Sequence, residues 1–506
     1  MERYDTSCVP DPFASSMEAV KALAARLSAP ETAALNHAAV EELIATDGRE
    51  VLRLFFQDHL DLRALREEQH PPSQAVVGAD GEVRAHREAG RARQLTCLFG
   101  TVSVVRCAWR SRGRVDVHPA DVRLSLPRGR HSHGIRRLAV REAIRGSFAQ
   151  AVEAIGERCG PVLGKRRSES LVVEAARDID AFYRHKIAPV STADMPLVIQ
   201  VDQKGVVMRP EALREATRKA AEAKKRQGRQ ARLAPGEKPN RKRMATIACV
   251  HDTVPAKRRP HDIVHPPGGR SGLRTPSPGP KAVNRWCTAS LIHDPADVIA
   301  EAFTQAADRD RGHHRPWLIL VDGAHHQLDL IEAEARRRRA RIHVLIDFVH
   351  VAEYVWTAAH AFHPVGSEAA ETFAAEKLTA ILHGHAARVT REMTAQAEKD
   401  QLSGAKRGSV ETCVRYLTGH LGRLRYDIAL KAGWPIATGS VEGACRHLVG
   451  DRLDITGARW GLDSAEAVLK LRAVQANDDL DSYLAYHHTR EHQRTYPNQR
   501  DHQPGA

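Results

Sequence analysis

Five short apolar runs mark the middle of the chain. They are Leu197 to Val201 within "MPLVIQVDQKGVVM" (195–208), "MATIACVHDTV" (244–254), "NRWCTASLI" (284–292), "WLILV" (317–321) and "IHVLIDFVH" (342–350). Their length and β-branched content read as buried strands. Between them lie segments with apolar residues at three- and four-residue steps. One is "DPADVIAEAFTQAADR" (294–309), which opens on an Asp cap. Another runs from about His325 to Arg341 and ends in "ARRRRAR". Strand, strand, strand, helix, strand, helix, strand predicts an α/β fold with a mixed sheet between helices. A long helical region follows to about Lys431.

The flanks read differently. Residues from about Ser16 to Glu68 carry helical periodicity, with Pro30 at a helix start. Residues 71–92 are polar and read as a loop, and "RQLTCLFGTVSVVRCAWR" (93–110) predicts a β-hairpin. Residues 128–186 divide into helical pieces at Gly146 and at Gly160-Pro161. The last two pieces have the layout of a helix-turn-helix, from Ser147 to about Arg158 and then from near Ser168. In that motif the start of the second helix enters the major groove, so Lys165, Arg166, Arg167 and Ser168 are candidate DNA contacts. A plain helical hairpin with a solvated basic turn has the same pattern.

The stretch 209–243 is strongly basic with few large apolar residues, which predicts an exposed helix or a mobile insertion. Residues 256–283 read as a loop rich in Pro and Gly. The predicted organisation is a helical region over 1–92, and a hairpin and helix-turn-helix DNA-binding region over 93–190. A catalytic core follows over 191–350, interrupted by a helical segment over 351–435 and completed over 436–480. The tail 481–506, rich in His, Arg and Gln, reads as disordered.

Composition narrows the partner. The 506 residues carry a formal net charge of +14, which favours a polyanion, nucleic acid above all. No apolar run reaches the ~18 residues of a membrane span. The start "MERYDTSCVPDPFASS" lacks a basic segment followed by an apolar one, so a cytoplasmic, DNA-associated protein is expected. Eight cysteines without a CxxC pair read as reduced thiols rather than disulfides or a zinc module.

Candidate chemistry sits at the strand ends. Asp202 and Asp322 each follow an apolar run, and ligands of open α/β sheets bind outside the carboxyl ends of the strands. Two carboxylates brought together repel each other, and a divalent cation resolves the conflict. All-oxygen ligands favour Mg²⁺ or Mn²⁺. Two such ions about 3.5–4 Å apart can activate a water and stabilise the leaving oxygen of a phosphodiester. A third carboxylate comes from "IATGSVEGACRHLVGDRLDITGARW" (436–460), which places Glu442 in the first turn of a helix. Arg446, Arg452 and Arg459 nearby suit an anionic substrate, or else pair with Asp451 and Asp454. Asp347 also ends an apolar strand. It either assists or replaces a member of this set, or caps the helix that begins near Phe348. His350 is a candidate contact to DNA or to the leaving phosphate. His325 and His326 invite a zinc site with Asp322, but no third ligand has suitable spacing.

With "VIQVDQKG", "LILVDGAHH", "IDFVHVAEYVW" and "TGSVEGACRHLVGDRLDITGARW" in this order, the sequence resembles a DDE transposase of the insertion-sequence type, closest to the ISKra family. "FGTVSVVR", "HPADVRLSLP" and "SFAQAVEAIGERCG" extend the likeness, which covers about residues 95 to 475. The resemblance implies a ribonuclease H-like catalytic core with a helical insertion between the second Asp and the Glu. It implies Asp202, Asp322 and Glu442 as a catalytic triad holding two Mg²⁺ or Mn²⁺ ions. It also implies double-stranded DNA, both transposon ends and target, as substrate, handled by a homodimer or larger assembly. Paired N-terminal cysteines common in that group are missing here, where the hairpin has only Cys97 and Cys107. A silent DNA-binding derivative and a ribonuclease H-like nuclease remain alternatives.

Overall fold

The computed structural model describes residues 11–189, 191–226, 240–265, 267 and 275–497. The chain forms two compact units, Met1–Arg184 with Leu480–Ala506, and His185–Asp479.

The first unit contains helices α1 (Ala14–Leu27), α2 (Pro30–Ala33) and α3 (His37–Gln69), and then a hairpin of β1 (His86–Cys97) and β2 (Gly100–Arg110). Helices α4 (Pro119–Arg123), α5 (His133–Arg145), α6 (Phe148–Cys159), α7 (Lys165–Ala175) and α8 (Ile179–His185) follow. The hairpin buries Leu95, Cys97, Val102 and Val104 with Leu60 of α3. It starts at His86, earlier than expected. Its first residues are exposed and its register shifts between Glu88 and Arg91, so no apolar alternation marks them. Helix α6 begins with a reciprocal Ser147–Gln150 capping box. Helix α7 starts at Lys165, three residues before the expected Ser168, and buries Leu171 against Ile135 and Ile155.

The segment expected to be a disordered tail contains a helix, Leu480–Thr495; residues 498–506 lie outside the described residues. Tyr483 on this helix is fully buried, its ring 5.5 Å from that of Phe182. Asp178 accepts two bonds from Arg494, at 2.7 and 2.8 Å, and lies 2.6 Å from His487. Composition concealed these anchors because several of them are ion pairs and hydrogen bonds made by Arg and His.

The second unit carries a five-stranded mixed sheet. In chain order its elements are β3 (Leu197–Val207), α9 (Glu215–Arg226), β4 (Lys242–Val254), β5 (Lys281–Ser290), α10 (Pro295–Arg309), β6 (Trp317–Val321), α11 (His325–Arg338) and β7 (Ile342–Ile346). The spatial order is β5-β4-β3-β6-β7. The first three of these strands are antiparallel, and β3, β6 and β7 are parallel. Every residue of β6 is buried, as its unbroken apolar run requires.

Helices α12 (Phe348–Phe362), α13 (Glu368–Leu382), α14 (Ala386–Lys399), α15 (Gly404–Gly419) and α16 (Tyr426–Ala432) occupy the expected helical segment. Helix α17 (Gly439–Ala444), a π-helical turn (Cys445–Gly450) and α18 (Leu462–Ala476) complete the unit. Of the basic stretch, α9 is helical and residues 227–239 lie outside the described residues. So do residues 266 and 268–274 of the Pro/Gly loop. Among the described residues no helix is long and apolar enough to cross a membrane.

Candidate functional site

The strand register explains why distant aspartates share one level. Gln200 pairs with Leu320 in the β3–β6 ladder, and Val321 pairs with Ile346 in the β6–β7 ladder. Asp202 and Asp322 therefore lie equally far beyond the first pair, and Asp322 and Asp347 equally far beyond the second. Three adjacent parallel strands thus present an aspartate at the same height. Asp202 does not end its strand, as the sequence suggested. β3 runs on to Val207 because β4 continues to pair with it where β6 has stopped.

Helix α17 starts over this level. Gln200 fixes it, its Oε1 accepting the Val441 N–H at 2.8 Å. The Asp202 carboxylate accepts the Cys445 thiol at 3.2 Å. Burial first, and then the charges of Asp202 and Glu442, push that thiol's pKa up. Thr438, just before α17, lies with its hydroxyl against Asp347 Oδ2 and 2.8 Å from Glu442 Oε1. A hydroxyl has one proton and both partners are carboxyls. The hydroxyl can therefore donate to only one of the two carboxyls at a time.

Asp347, His350 and Glu442 form the tightest donor set. One ligand atom from each lies within 4.8 Å of the others, and it is the group of this kind among the described residues. Asp347 is fully buried. Its Oδ1 accepts the Val349 N–H at 2.8 Å and its Oδ2 lies 3.3 Å from His350 Nδ1. Burial works against the charged imidazole. The Asp347 bond and the charges of Asp347, Glu353 and Asp322 outweigh it, so the His350 pKa is raised.

Of the expected set of Asp202, Asp322 and Glu442, Glu442 belongs to this compact group. Asp322 and Asp202 lie outside the compact set, and each also answers a local donor. Asp322 Oδ1 takes the Ala324 N–H at 2.9 Å in the turn leading into α11. Asp202 takes the Gln203 N–H and the Cys445 thiol. The helical segment reaches the Asp322 turn, since the Tyr416 hydroxyl donates to the Asp322 carbonyl at 2.7 Å. Gly323 there has φ +95°, and a Cβ would lie 3.1 Å from His420 and 3.2 Å from Tyr416. His325 stacks on His420 at 5.3 Å, and neither His325 nor His326 belongs to the metal-capable group found among the described residues.

The basic candidates divide. Arg446 and Arg459 are exposed, and Arg446 reaches Asp451 only at 3.9 Å. Arg452 is buried under Trp460, 4.7 Å from its ring, and burial and Arg472 lower its pKa to about 10. It cannot grip a phosphate from that position. Lys165 and Arg166 are exposed at the start of α7, and Arg167 pairs with Glu174 at 3.1 Å. Ser168 is fully buried, which removes it as a DNA contact. It fell inside the helix because α7 starts three residues early.

Sequence reasoning missed Gln200, Tyr416, Thr438 and Cys445. Gln200 had a signal, being the polar residue inside an apolar strand; Tyr416 had none, since its role depends on how α15 returns to the sheet. Comparison with protein-family models and with curated proteins gives no match.

Proposed function

We propose that this chain is a DDE transposase. It would cut a phosphodiester at each transposon end and join the freed 3′-hydroxyl to target DNA. The observation that carries this reading is the common level of Asp202, Asp322 and Asp347 beneath the helix bearing Glu442. A mixed sheet with acidic groups at its parallel strand ends, and a helical segment before the glutamate, is compatible with a ribonuclease H-like core.

The donor chemistry fits a divalent cation. Two carboxyls and an imidazole within 4.8 Å would hold it, and the imidazole favours Mn²⁺ over Mg²⁺ more than oxygens alone would. Asp202 and Asp322 are the carboxylates that would hold a second cation, and the chemistry such ions supply when bound is an activated water and charge relief at the leaving oxygen.

The protein's own groups do the positioning. Thr438 sets the spacing of Asp347 and Glu442, and Gln200 fixes the start of α17. Tyr416 holds the Asp322 turn from the helical segment. Exposed Arg446 and Arg459 suit contact with the DNA backbone, whose transfer chemistry depends mainly on placement and charge neutralisation. Two ends must be held at once, which calls for at least two copies of the chain.

The test is nicking and joining of end-sequence DNA in Mn²⁺ or Mg²⁺. Wild type is expected to nick and to join, and Asp322→Ala to do neither. Equal nicking by the variant refutes the site assignment. Nicking without joining favours a nuclease, and DNA binding with neither favours a silent derivative.

A further inference from the structure

The first unit contains a cavity of about 480 Å³ lined by five arginines: Arg128, Arg136, Arg167, Arg177 and Arg494. Its lining carboxylates are Glu174 and Glu491. Glu491 takes Arg136 at 2.6 Å, and Glu174 takes Arg167 at 3.1 Å and Arg136 at 3.7 Å. Arg494 is held from outside the cavity by Asp178. Arg128 and Arg177 are exposed, and neither has an ion-pair partner among the described residues. Among the described residues three carboxylates thus answer five guanidiniums.

The guanidiniums are also crowded. A Cβ on Gly129 would lie 2.9 Å from Arg167 Nη2 and 3.4 Å from Arg136 Nη2, so both groups press on one short piece of backbone. The positive field reaches the neighbouring His131 ring. Burial, and then Arg167, Arg130 and Arg136, lower its pKa. Fixed like charges in a concave site are costly to hold together unless an anion occupies the site. Planar guanidiniums match phosphate oxygens in pairs.

We propose that this cavity binds the phosphodiester backbone of duplex DNA, with Arg128 and Arg177 each engaging one phosphate. The proposal rests on the transposase reading for its ligand. It adds Arg128 and Arg177, which lie outside the helix-turn-helix contacts, to a site that shares Arg167 with them. Arg167 belongs to the first turn of α7 and also lines the cavity. A backbone held here would therefore run beside exposed Lys165 and Arg166.

The experiment measures binding of the full-length protein to random-sequence duplex DNA by fluorescence anisotropy. It is done without divalent metal and across a range of salt concentrations. Each phosphate contact contributes about 0.9 to the slope of log affinity on log salt. Arg128→Ala/Arg177→Ala is expected to lower that slope by about 2 and to weaken binding roughly 60-fold near 0.1 M salt. Both side chains are exposed, and an unchanged thermal melt shows that the variant folds. Wild-type binding with an unchanged slope in the variant overturns the cavity site and leaves the transposase reading standing. A lowered slope in a protein that never cuts DNA upholds the cavity and removes the catalytic reading. Wild type that binds no duplex at any salt removes both.

Discussion

The Asp347–His350–Glu442 set makes a quantitative prediction about heat stability. A cation that binds the folded state alone stabilises it by about 2.7 kcal/mol at one hundred times its Kd. The His185–Asp479 unit is roughly 300 residues long and gains about 2 cal/mol/K per residue in entropy when it melts. Its melting entropy is therefore about 0.6 kcal/mol/K, and saturating Mn²⁺ should raise its midpoint by about 4 °C. The assay is calorimetry with and without Mn²⁺, on wild type, Asp347→Asn, Glu442→Gln and Asp202→Asn. Asp347→Asn and Glu442→Gln should lose most of the shift, because each removes a donor from the compact set. Asp202→Asn should keep the part of the shift that comes from this set, since that carboxylate lies outside it and faces Cys445. A wild type that ignores Mn²⁺, or a Glu442→Gln that shifts as far as wild type, refutes the reasoning.

Other outcomes are expected from single groups. His251 is buried, and its ring is pushed down from 6.5 to about 4, by burial first and then by Arg309 and Arg285. A folded pKa below the unfolded one means that this contribution is complete above pH 6.5 and is lost as pH falls toward 4. The loss reaches about 3 kcal/mol. Urea unfolding at pH 7 and pH 4.5 should show a smaller acid penalty in His251→Gln, and equal penalties would contradict the assignment. At Gly323, the positive φ and the nearness of Tyr416 and His420 make Gly323→Ala cost about 1–3 kcal/mol. Thermal melts that match wild type would show that this turn tolerates a side chain.

The sheet was largely legible because buried strands leave long apolar runs. β6 is buried at all five positions, and its sequence is apolar at all five. Elements stabilised by polar contacts were harder to read. The arm of β1 from His86 to Arg93 pairs by backbone hydrogen bonds that leave no hydrophobic alternation. The C-terminal helix is anchored by Tyr483 and by ion pairs to Asp178, a partner about three hundred residues away in the chain. Arg452 looked like a phosphate contact because composition reports charge and not burial. Its place under Trp460 is set by the turn that closes back onto β3, where the Arg209 N–H bonds the Trp460 carbonyl at 2.8 Å.

Asp347 shows why the candidate site was read only in part. Its position after a strand and before a helix fits both a cap and a metal ligand, and the sequence presents these as competing uses. The structure assigns them to different oxygens. Oδ1 caps α12 through Val349, while Oδ2 faces Thr438 and His350. A carboxylate has acceptor capacity for both, so the cap does not argue against a place in the acidic cluster. The capping bond instead fixes the carboxyl's rotation and aims its second oxygen at the helix carrying Glu442. Because Asp347 is buried, that oxygen is withdrawn from bulk solvent. Its remaining partners are the ones that Thr438 and His350 provide, or a cation placed between them and Glu442.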